Sequence, residues 1–128
     1  VLLDGAHNPM AAAVLAAEIP HLLPERPRVA LFSARGDKDI KGIIAHLGPH
    51  LDRVIVTNLP GQAPPALEGL VFAARQHGFR LSVEPYIPSA LALARRSAGQ
   101  AGGLLVTGSL YLIGAVLPLL PNDLRRVA

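Results

Sequence analysis

A chain of 128 residues that is 51% hydrophobic can bury a core and is too apolar to stay disordered. It has no cysteine, which excludes disulfides and thiolate metal sites and points to a reducing, cytoplasmic setting. The net charge of +3 rests on scattered arginines with few aromatic residues among them, a pattern that argues against nucleic-acid binding.

In chain order, Val1-Leu2-Leu3 is a short apolar run leading into Asp4, so a first strand is expected at Val1–Asp4. The chain opens inside that strand, without methionine or a secretory signal, and this leads us to expect a piece of a longer protein. The polar turn Asp4-Gly5-Ala6-His7-Asn8-Pro9 follows, then an Ala-rich helical pattern at about Met10–Leu22. Asn8 suits the cap of that helix, and Pro9 suits its first turn, where no intrahelical N–H partner is lost. Further strands are expected at Arg28–Ser33, Arg53–Asn58, Arg80–Glu84 and Gly103–Thr107. Helical patterns lie between them at Asp39–Leu47, Pro65–His77 and Pro88–Ala98, and a last one runs from Leu110 to about Leu120.

Ile40, Ile43, Ile44 and Leu47 carry the i, i+3, i+4, i+7 stripe of a helix with one buried face. The strands are near-continuous apolar runs, as in Val29-Ala30-Leu31-Phe32 and Leu104-Leu105-Val106, which is the pattern of a sheet covered on both faces. The alternation therefore predicts an α/β fold: a Rossmann-like, doubly wound, mainly parallel sheet of about five or six strands with helices on both faces. The Pro-rich segment from Leu59 to Ala66 reads as a surface loop. Gly114 and Pro118 break the apolar stretch Leu110–Leu120, which is too short to cross a bilayer.

Four strand ends carry groups that can do chemistry. They are Asp4 with His7 and Asn8; Ser33 with Arg35, Asp37, Lys38 and Asp39; Thr57 with Asn58; and Thr107 with Ser109. Convergence on one edge of a parallel sheet predicts a cleft for a small molecule or a phosphate. Neither G-x-x-x-x-G-K-[ST] nor G-x-G-x-x-G occurs, so the main grip on any nucleotide phosphate lies elsewhere. Asp39 and Ser109 also read as caps for the helices behind them, and Tyr111 as a packing residue. Ser109 has no base or orienting acid beside it in sequence, which argues against a nucleophile. His21, His46, His50 and His77 fall at no metal-ligand spacing, and no metal site is expected.

The runs Leu3-Asp4-Gly5-Ala6-His7-Asn8-Pro9, Asp37-Lys38-Asp39-Ile40 and Leu105-Val106-Thr107-Gly108-Ser109-Leu110-Tyr111-Leu112 together resemble a known family. It is the C-terminal domain of the folylpolyglutamate synthase/dihydrofolate synthase family, within the Mur ligase superfamily. The first block is shared across that superfamily, and the other two tilt the match to the folate branch. The resemblance implies that residues 1–128 form a Mur ligase-type C-terminal, glutamate ligase domain, preceded in the parent by a P-loop ATPase domain. It implies an ATP-dependent ligase that activates a carboxylate as an acyl phosphate and adds L-glutamate to dihydropteroate or to folyl-(poly)glutamate. ATP and Mg2+ would be gripped mainly by the upstream domain. The partners would be that domain, L-glutamate and a pteroate or folate, in a monomer that binds neither nucleic acid nor membrane.

The implied residue roles follow the blocks. Asp4, His7 and Asn8 bind nucleotide, Asp4 through the ribose hydroxyls and His7 at the phosphate end. Asp37, Lys38 and Ser109 bind glutamate, with Asp37 holding Lys38 in orientation. His7, Lys38 and Ser109 form the catalytic set. Two other readings stand beside this one. A peptidoglycan precursor ligase is opposed by Ser109-Leu110-Tyr111, and a non-catalytic, flavodoxin-like module would bind an anion without turnover.

Overall fold

Across residues 1–127, which the computed structural model describes, the apolar runs form one six-stranded sheet. Its strands are β1 (Leu2–Asp4), β2 (Arg28–Phe32), β3 (Arg53–Val56), β4 (Arg80–Val83), β5 (Gly103–Thr107) and β6 (Arg126–Val127). The helices between them are α1 (Pro9–Leu22), α2 (Ile40–Leu47), α3 (Glu68–His77), α4 (Ile87–Ala98) and α5 (Leu110–Val116). The strand order is β4-β3-β2-β5-β1-β6 and every pairing is parallel, the doubly wound arrangement that the sequence predicts. The short β6 was not anticipated, because Arg125-Arg126-Val127 shows no apolar run.

Alternation along each strand divides the core in two. Leu2, Ala30, Phe32, Val54 and Leu105 point to the face covered by α1, α2 and α3. Leu3, Val29, Leu31, Ile55 and Val106 point to the face covered by α4 and α5. The two central strands, β2 and β5, are buried along their whole length, as strands covered on both sides must be. Each fully buried Leu, Ile or Phe in these layers contributes about 1.5–3 kcal/mol.

Local chemistry sets the helix ends. Asn8 caps α1 by accepting the Ala11 N–H at 2.8 Å, and Asp39 caps α2 by accepting the Gly42 N–H at 2.9 Å. Gly42 also lets the two helices approach, since a Cβ there would meet Pro9 Cγ at 2.8 Å. The third helix begins at Glu68 rather than Pro65, because Ala66 and Leu67 supply no capping side chain and Glu68 is the first carboxylate to favour an N-terminal turn. The last helix stops at Val116 and tightens into a 3₁₀ turn at Leu117–Leu119, where Pro118 cannot continue the α-helical ladder.

The edge of the sheet at the strand N-termini is structural. Arg28 is buried, with its Nε donating to the Leu23 carbonyl at 2.7 Å and Asp52 accepting its backbone N–H at 2.7 Å. Arg26 pairs with the same carboxylate at 2.7 Å. Burial, with the charges of Arg28 and Arg26 close by, holds the His50 imidazole below the usual histidine range. Among the described residues no helix is long and apolar enough to cross a membrane.

Candidate functional site

The topology opens a crevice at the carboxyl end of β5. That strand lies between β2 and β1, whose following helices α2 and α1 cover one face, while α5 leaves β5 for the other. The connections part at this point, which is where parallel sheets place their ligands. Ser33, Thr57 and Glu84, expected at strand ends, lie one residue beyond the ladders and so belong to this edge.

A cleft of about 260 Å³ occupies the crevice, lined by His7, Arg35, Lys38, Gly108, Ser109, Leu110 and Tyr111. His7, Lys38 and Ser109 therefore converge from three separate sequence blocks. The Nδ1 of His7 lies 2.8 Å from the Gly5 carbonyl, which can only accept, so this contact assigns the proton to Nδ1 and leaves Nε2 facing outward bonds. Ser109 Oγ caps α5 by accepting the Tyr111 N–H at 3.1 Å and the Leu112 N–H at 3.4 Å. Its lone pairs are occupied and its O–H proton remains to donate, so capping and a ligand contact are compatible.

Lys38 reaches the cleft from a turn in which its N–H donates to the Arg35 carbonyl at 3.0 Å. Asp37 does not hold it there. The turn folds Asp37 back onto Arg35, with Oδ1 at 3.5 Å from Nε, and that is its ion pair. Asp39 is occupied as the α2 cap.

Asp4 and Asn8 do not line the His7 cleft. They border a separate, mostly apolar groove of about 570 Å³ along α1, with Met10, Ala11, Val14 and Leu15 among its walls. Met10 and Val14 are 81% and 66% exposed, so this side of α1 offers an uncovered apolar floor with a carboxylate at its end. Asp4 is fixed by accepting the Ala6 N–H at 2.9 Å. Asn8 spends its Oδ1 on the cap and keeps its amide N–H groups free.

Sequence reasoning missed two contributors. Arg35 stood among the strand-end groups without a role, and it lines the cleft. Tyr111 was expected to pack, but it is 57% exposed and also lines the cleft. The signal lay in α5: its buried residues are Leu112, Ile113 and Val116, which turns Leu110 and Tyr111 outward.

Gly108 holds the crevice in shape at φ +101°, and a Cβ there would run into the Ser33 carbonyl and the Phe32 ring. Beside it, the hydroxyls of Ser33 and Thr107 are fully buried with no hydrogen-bond partner. Among the described residues no three His, Asp or Glu side chains gather as a metal-binding group.

Comparison with known proteins places this geometry. The family described as Mur ligase, glutamate ligase domain, matches residues 1–110. A dihydrofolate synthase/folylpolyglutamate synthase of Mycobacterium tuberculosis is 30% identical over 138 aligned positions, which cover 96% of this chain and 28% of the relative. A crystal structure of M. tuberculosis folylpolyglutamate synthase complexed with ADP and AMPPCP superposes with a TM-score of 0.74 at 31% identity, over 91% of this chain and 28% of that one. Escherichia coli FolC in complex with ADP, without folate substrate, gives 0.75 at 26% identity, over 91% of this chain and 27% of the other. The chain thus spans little more than a quarter of the length of these relatives. With its three sequence blocks meeting at one sheet edge, it belongs to the Mur ligase glutamate ligase domain family.

Proposed function

We propose that this chain is the C-terminal domain of an ATP-dependent amide-bond ligase that adds L-glutamate to dihydropteroate, to folyl-(poly)glutamate, or to both. The observation that carries the reading is the convergence of His7, Lys38 and Ser109 on one cleft that, among the described residues, no carboxylate lines. The similarity to folylpolyglutamate synthases supports the substrate class.

In such a reaction a carboxylate oxygen of the acceptor attacks the γ-phosphorus of ATP and ADP leaves. The amine of glutamate then attacks the acyl carbon, phosphate leaves with the carboxylate oxygen, and the amide forms. This chain's residues have definable parts. The Lys38 ammonium offsets the negative charge of the incoming amino acid, and the Ser109 O–H donates to an anionic oxygen beside it. His7, oriented by Gly5 through Nδ1–H, turns Nε2 to the phosphoryl group and donates to its developing charge as the imidazolium, which carries a proton on both nitrogens. Asp4 accepts the ribose hydroxyls, Asn8 donates through its amide, and the apolar groove along α1 suits the nucleoside.

The P-loop is assigned to an upstream domain, as are the ligands of the magnesium ion that accompanies ATP. Among the described residues there is neither a P-loop sequence nor a gathered acidic cluster. On this reading residues 1–128 alone do not turn over. The absence of cysteine agrees with a cytoplasmic enzyme.

The test is incorporation of isotopically labelled L-glutamate by the full-length protein that carries this chain. Dihydropteroate, tetrahydrofolate and a UDP-muramyl acceptor are offered separately with ATP. Label in the pterin or folate product supports the reading and identifies the step. Label only in the muramyl product moves the enzyme to peptidoglycan synthesis.

A further inference from the structure

Arg35, Ser109 and Tyr111 form a wall shared by two clefts. The inner cleft, described above, contains His7 and Lys38. The outer one, about 270 Å³, lies beyond that wall and is closed by Leu59, Pro60 and Gln62 from the β3–α3 loop. Either volume is several times the roughly 30 Å³ share of one liquid water, so each can hold part of a small molecule.

The outer cleft has the chemistry of an anion site. Among the described residues no carboxylate lines it, and three of its side chains can donate: the Arg35 guanidinium, the Gln62 amide and the Tyr111 hydroxyl. The counter-ion of Arg35 is Asp37, at 3.5 Å through Nε, with both side chains about 60% exposed. That pair is loose, and it leaves the two terminal nitrogens of the fork for a planar, bidentate partner. Gln62 is set by a turn in which its N–H donates to the Leu59 carbonyl at 3.0 Å, with Gly61 at φ +76°.

We propose that the outer cleft is a second carboxylate subsite, a reading that rests on the glutamate-ligase function. Arg35 and Gln62 take the side-chain carboxylate of the incoming dicarboxylic amino acid, and Lys38 in the inner cleft takes its α-carboxylate. The donor is held between two cations, Lys38 in the inner cleft and Arg35 on the shared wall. An amino acid with one carboxylate satisfies only one of them.

The test is phosphate release from ATP by the full-length protein, with a folyl acceptor and varied L-glutamate. Arg35→Ala is expected to raise the glutamate KM about tenfold or more, and by a larger factor than kcat falls. Arg35→Lys should recover part of that loss, and Gln62→Ala should raise KM about threefold. Gln62→Glu, which sets a carboxylate against the ligand's own, should raise it further. Both residues are exposed, so circular dichroism is expected to match wild type. An unchanged glutamate KM in folded Arg35→Ala and Gln62→Glu overturns the subsite and leaves the ligase reading intact. Wild-type protein that releases phosphate with no dependence on glutamate overturns the ligase reading, and the subsite with it.

Discussion

The imidazole of His7 and the carbonyl of Gly5 are joined at 2.8 Å across a two-residue turn, so the backbone fixes which nitrogen of His7 carries the proton. His7 lines the cleft, and its other nitrogen is left for bonds outside the turn. Replacing His7 with Ala is expected to lower kcat about a hundredfold in the full-length enzyme, the scale of losing one imidazolium contact to developing charge. The ATP KM should change far less. Steady-state kinetics measure both, and a kcat within twofold of wild type contradicts the assignment.

Asp4 has two tasks that substitution can separate: it accepts the Ala6 N–H at 2.9 Å and it borders the α1 groove. Asp4→Asn keeps an acceptor for the turn and removes the charge. If the carboxylate holds ribose hydroxyls, the ATP KM should rise at least tenfold, equivalent to about 1.5 kcal/mol, while kcat is largely retained. An unchanged KM with intact folding removes the ribose role.

Ser109 likewise combines a cap with a free donor. Ser109→Asp preserves capping of α5, because its carboxylate can accept the Tyr111 and Leu112 N–H groups, but it places a negative charge in a cleft built for anions. The cap is expected to survive, so that stability falls no further than in Ser109→Ala, with glutamate-dependent turnover abolished. Ser109→Ala should instead lose about 1 kcal/mol of stability as the cap disappears. Urea unfolding beside turnover distinguishes the two effects.

Much of this organisation was legible in the sequence, and the parts that were not share a cause. Apolar runs of four or five residues and single capping side chains are local signals, so the strands, the Asn8 and Asp39 caps and the common sheet edge could be read directly. The parting of Asp4 and His7 into different cavities could not, because it depends on where α1 and α5 leave the sheet. The resemblance implies that Asp37 orients Lys38, but the turn closing on the Arg35 carbonyl brings it to the guanidinium instead. Arg28 stands among the scattered arginines of the sequence, with nothing local to mark it as buried. Its guanidinium meets the carbonyls of Leu23, five residues back, and His50, which is distant in sequence.

Gly108 tests how rigidly the crevice is built. Gly108→Ala places a Cβ against the Ser33 carbonyl at a backbone angle that L-residues rarely adopt, φ +101°. A loss of at least about 2 kcal/mol is expected from strain and backbone displacement together. Urea unfolding of the chain measures it, and a loss below about 0.5 kcal/mol contradicts the close approach of β2 and β5 at this point.

His50 gives the fold a pH dependence with a definite sign. Its folded-state value lies below the ordinary histidine value of 6.5, because burial and the charges of Arg28 and Arg26 disfavour the imidazolium. As pH falls through that value the unfolded chain binds a proton that the folded chain resists. Stability is therefore retained above about pH 7 and declines on acidification below about 6.5. His50→Gln should flatten that decline in urea titrations at several pH values. An equally steep decline in the variant contradicts the assignment to His50.

The central claim is that the cleft joining three sequence blocks serves glutamate ligation. The most direct measurement is phosphate release from ATP by the full-length protein, with a folyl acceptor, with and without L-glutamate. It compares wild type with the folded triple variant His7→Ala, Lys38→Ala, Ser109→Ala. The expected result is glutamate-dependent release in wild type and its loss in the triple variant. Release that survives in the triple variant with unchanged glutamate dependence contradicts the claim.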